Sequence, residues 1–136
     1  MPRQPAINAP GIVIAIVLAL IIVHGVRISL PLQLERQFLL NFAFIPSRLG
    51  ILAGGWPAGD LWAAKTLVTH AFLHGDWLHL LINSAWLLAF GSLVARRTNV
   101  LRFLGLFVLS AICGALLFLA VNGPIDVIVI GASGAV

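Results

Sequence analysis

His70-Ala-Phe-Leu-His74-Gly-Asp76-Trp77-Leu-His79-Leu-Leu-Ile-Asn83 is the stretch whose reading decides the fold. Its second half runs into an apolar segment, yet it carries His79 and Asn83 four residues apart, on one face of a helix. Polar side chains inside a membrane helix are costly, so each is by default a functional residue. Whether this is a membrane helix follows from the chain around it.

The 136 residues are 61% hydrophobic and 9% charged, with a mean hydropathy of +1.11. A soluble domain carries roughly a quarter charged residues. This chain has too little polar surface to cover itself in water, so its solvent is lipid. Three stretches, about 11–30, 77–95 and 103–121, reach the roughly 20 apolar residues that a helix needs to cross a bilayer. A fourth begins at 133–136. The expected fold is an all-α membrane protein, a polytopic helical bundle of three complete transmembrane helices and the start of a fourth, in one domain. The first stretch follows a tail with Arg3 but is too long for a signal h-region. It also lacks a small-x-small cleavage site before Pro31, so it reads as a retained helix.

Residues 31–76 have another character. Glu35, Arg36, Arg48, Asp60 and Lys65 lie among apolar clusters, and Pro46, Gly50, Gly54, Gly55, Pro57 and Gly59 break the segment into pieces too short to span. Trp56 and Trp62 suit the headgroup level. The segment reads as a long interfacial loop with one or two short amphipathic helices, half submerged.

Arg96, Arg97 and Arg102 cluster between the second and third spans with no acid nearby, which places that loop and the N-terminus in the cytoplasm. The net charge of +4 therefore reports topology and contact with anionic lipid, not nucleic acid binding. Cys113 lies mid-helix among apolar neighbours and reads as packing.

Two crossings separate the start of the second span from Ser133 in Gly131-Ala-Ser133-Gly134-Ala-Val136. Both starts thus face the non-cytoplasmic side, with His79 and Asn83 about 3 to 10 Å below the beginning of their helix. Histidine, asparagine and serine come to one depth in one leaflet. The chemistry that fits is acyl transfer: a serine nucleophile needs a base for its proton and donors for the oxyanion. Small residues around Ser133 leave it uncrowded, and backbone N–H groups at a helix start add donors. His70 and His74 at i, i+4 could instead be metal ligands, with His79 or Asp76 as a third. No glutamate follows His70 in the zinc-protease manner, so bracing is favoured. His24 reads as an interfacial or core-satisfied histidine, and Trp86 and Phe90 as helix packing.

Thr69-His70 through Asn83, followed by Gly131-x-Ser133-Gly134, resembles the rhomboid intramembrane serine proteases of the bacterial type, over most of the chain. By position, the resemblance implies Ser133 as nucleophile, His79 and Asn83 as the oxyanion-stabilising pair, and His70 and His74 as braces of the long loop. It implies cleavage of transmembrane protein substrates within the bilayer, without cofactor or metal, in the bacterial inner membrane. Ala95 stands where the family often has glutamate, and Trp62 is followed by Ala63 rather than arginine. Both differences concern scaffold stability and loop order. The family's general base is a histidine on the sixth span, whereas Val136 follows Ser133 by three residues. A carboxylate on Val136 at membrane depth would cost several kcal/mol. The expectation is an N-terminal piece of a longer protease with about two to three further spans, inactive as it stands; that count comes from the resemblance. The alternative is a non-catalytic rhomboid-like protein that binds membrane helices, which has no need of the serine and its donors together.

Overall fold

Pro10 and Pro31 bracket the first membrane helix, α1, Gly11–Ser29. Leu30 is extended, as the residue before a proline tends to be, and the helix stops there. Val13, Ile16, Leu20, His24 and Arg27 recur every three to four residues and are buried, while Leu18, Ile22 and Val26 on the other side are more than half exposed. Such an apolar outer face suits lipid. The computed structural model describes residues 9–49 and 61–136. The readings of Trp56 and of the Trp62 side chain lie outside the described residues.

The described part of the long loop contains two short helices, α2, Leu32–Phe42, and α3, Leu61–Thr69. None of α2's residues is buried, so it lies on the surface of the bundle rather than within it. It is fastened to α3 by Thr69, whose hydroxyl donates to the Phe42 carbonyl (2.6 Å), and by the Lys65 ammonium, 4.8 Å from the Phe42 ring centroid. Phe44 pairs antiparallel with Val129, each N–H donating to the other's carbonyl at 3.1 and 2.8 Å. This bridge ties the loop to the strand-like link that leads to Ser133.

The second span, α4, runs Trp77–Arg97. Asp76 caps it, accepting from the His79 N–H at 2.8 Å. Its middle turn, Leu87–Gly91, is a π-helical widening. Gly91 closes that turn against the Leu87 side chain, whose Cδ1 would lie 2.8 Å from a Cβ at 91. The third span, α5, covers Val100–Asn122 and begins three residues ahead of its expected start, because the Asn99 side chain caps it through the Arg102 N–H. Its buried residues Phe103, Phe107, Ala111, Ala115 and Leu119 fall at every fourth position. Gly123, at φ +76°, turns the chain out of the helix.

Among the described residues three helices are long and apolar enough to cross a membrane, so the chain is a polytopic helical membrane protein. One core joins α1, α4 and α5 through Leu20, Leu80, Leu87 and Phe107, and reaches Ala71 and Ala132 beside the serine. A second core, of Phe44, Leu49, Ala63, Ala115 and Leu119, seats the loop on α5.

Candidate active site

Ser133 lies in a single 3-10 turn, Ala132–Gly134. Gly131 precedes it at φ +124°, ψ 150°, a conformation in effect reserved for glycine. The glycine is required for space as well. A Cβ at 131 would lie 2.7 Å from both Cε1 and Nε2 of His79, so the imidazole packs directly on the backbone that carries the serine. On the other side the turn presses on α5, where a Cβ at Gly114 would come within 2.9 Å of Gly134 Cα. The small residues around Ser133 thus serve two named contacts.

His79 and Asn83 stand on the first two turns of α4. The Asn83 amide donates one proton to the His79 carbonyl at 3.0 Å and keeps a second. Both residues line, with Ser133, a cavity of about 500 Å³. Trp86 and Phe90 line it too, rings stacked at 5.0 Å and 18° and half exposed. They form an apolar wall of the cavity rather than the buried helix packing expected of them. Their four-residue spacing from His79 and Asn83 was the available signal. Ser133 also borders a smaller cavity of about 120 Å³ that His70 and Gly114 line.

His70 and His74 hold the serine turn from behind. The His70 ring donates from Nδ1 to the Thr66 carbonyl (2.8 Å), within the long loop, while its own carbonyl accepts from Gly131 N–H at 3.0 Å. His74 is fully buried, and its Nε2 accepts a long hydrogen bond of 3.4 Å from Ala132 N–H. That ring must be neutral to accept. Burial, and next its neighbours His79, His24 and Arg27, hold its pKa down at about 4. Burial also lowers that of His70, against the opposing hydrogen bonds to the Thr66 and Leu67 carbonyls.

A second tier lies behind these: His24, expected from the sequence as an interfacial or core-satisfied histidine, and Arg27, which the sequence reading passed over. His24 and Arg27, one turn apart near the end of α1, are both buried. His24 Nδ1 donates to the His74 carbonyl (3.2 Å), and its ring meets Trp77 edge-on at 4.6 Å. Arg27 donates to the Gly75 carbonyl (2.8 Å) and forms an ion pair with Glu35 (2.7 Å). Ionisable residues within an apolar span were the signal for this tier.

The fold and the cavity define a helical membrane protein that presents a serine opposite a histidine–asparagine pair. The family model described as Rhomboid domain matches residues 58–136, more than half of the chain. The chain belongs to the rhomboid family, whose members are in general intramembrane serine proteases. A comparison with curated proteins gave no significant match.

Proposed function

We propose that this protein is an intramembrane serine endopeptidase that cleaves transmembrane segments of other membrane proteins. The observation that carries the reading is the shared cavity: Ser133 from the link after α5 opens onto the same space as His79 and Asn83 of α4. In this reading Ser133 Oγ attacks the scissile carbonyl, and its proton passes to a base outside the residues described. The carbonyl oxygen, now an oxyanion, is met by donors from the His79 ring, the free Asn83 amide proton and the backbone of the serine turn. Collapse of the tetrahedral intermediate expels the amine with that proton and leaves an acyl-enzyme, which water hydrolyses. The reading names no cofactor or metal.

Trp86 and Phe90 offer an apolar wall for a substrate side chain. A scissile bond must leave its helix to meet Ser133, so segments with helix-weakening residues are the favoured substrates. Arg96 and Arg97 at the end of α4 and Arg102 at the start of α5 support a cytoplasmic turn there, hence a cavity opening to the non-cytoplasmic side of a bacterial plasma membrane.

Ser133→Ala in the full-length, membrane-inserted protein tests the reading. It should abolish both cleavage of a transmembrane reporter and covalent labelling by a fluorophosphonate, with folding unchanged. Cleavage at the wild-type rate would sink the protease reading.

A further inference from the structure

We propose that His24 and Arg27 of α1 are positioning residues for the reaction centre, acting through the peptide units of His74 and Gly75. The inference rests on the protease reading of Ser133.

The segment 74–76 is a joint between the two halves of the site. On one side Asp76 caps α4 through the His79 N–H, so any shift of 76 moves the His79 backbone. On the other side the His74 ring holds Ala132 N–H, one residue before Ser133. The separation of His79 from Ser133 is therefore set by where this joint sits. Leu73, just before the joint, is buried, whereas Gly75 and Asp76 within it are exposed and have no packing of their own to fix them. The two carbonyls of the joint are instead held from α1: His74 by His24 Nδ1 and Gly75 by Arg27. The guanidinium is in turn oriented by Glu35 of α2. A buried histidine and a buried arginine in an apolar span are expensive unless their donors are used. Here a donor from each goes to one of two consecutive carbonyls. Neither residue lines the cavity that contains Ser133, so substrate binding does not involve them directly.

The test uses the full-length, membrane-inserted protein and the variants His24→Leu, His24→Asn and Arg27→Met. Asparagine keeps a donor at the place of Nδ1, and methionine keeps the stem of arginine without its fork. Three measurements are made on folded protein: fluorophosphonate labelling of Ser133, kcat and KM for a transmembrane reporter, and amide exchange over 131–135. The leucine and methionine variants should lower the labelling rate and kcat by about 10- to 100-fold, the scale of an ångström-sized misplacement. KM should stay near wild type, exchange over 131–135 should rise, and His24→Asn should recover most of the rate. Normal kcat and labelling per folded molecule, or a rise confined to KM, would overturn the proposal. Should wild-type protein neither label nor cleave, the protease reading falls by itself. The exchange measurement then still decides the coupling, since unchanged protection over 131–135 in both variants would refute it.

Discussion

Replacing Gly131 by alanine should disable the site. The backbone at 131, φ +124° and ψ 150°, lies where any side chain costs about 1–3 kcal/mol. The new methyl would also stand 2.7 Å from two atoms of the His79 ring, where carbon contacts settle near roughly 3.5 Å. Either the imidazole or the serine turn must retreat by nearly an ångström. The turn is held by the Gly131 and Ala132 N–H bonds to His70 and His74, so the ring is the part that yields. A displacement of that size in a reacting constellation costs on the order of 100-fold in rate. The expected result is a protein less stable by about 2 kcal/mol, with fluorophosphonate labelling of Ser133 and reporter cleavage both down by about two orders of magnitude. Gly25→Ala in α1 is the control, since a Cβ there meets nothing within 4 Å. Labelling and thermal midpoint equal to wild type in Gly131→Ala would refute the argument that the ring packs on residue 131.

Gly114→Ala should push the serine turn off α5 and lower activity, because its Cβ would meet Gly134 Cα at 2.9 Å. Gly105→Ala on the same helix, with open space around it, should stabilise by about 0.5 kcal/mol; thermal unfolding of the pair checks both. Asp76→Ala removes the cap on the His79 N–H and should cost about 1 kcal/mol, read by denaturant unfolding. His74 titrates near 4 in the fold against 6.5 when unfolded, so the unfolded chain takes up the proton first as pH falls. Stability from this group is full above about pH 6.5 and is lost as the pH drops towards 4, by about 3 kcal/mol in all. His74→Gln, which keeps an acceptor but cannot titrate, should flatten that profile; parallel acid curves for the two proteins would contradict it.

Much of this protein is written locally. The lipid solvent and the three spanning helices follow from composition and run length, which depend only on neighbours in sequence. So does the pairing of His79 with Asn83, because a helix places i and i+4 together whatever surrounds it. The family resemblance rests on the same local motifs. Contacts between elements are another matter. His24 and His74 are 50 residues apart, His74 and Ala132 are 58 apart, and no periodicity announces that they meet. Only packing could show that Gly131 makes room for an imidazole, that Gly114 makes room for Gly134, or that Trp86 and Phe90 face a cavity. Hydrophobicity sorts a segment into lipid or water one residue at a time, whereas the meeting of Ser133 with His79 and Asn83 in one cavity is set where separate segments touch.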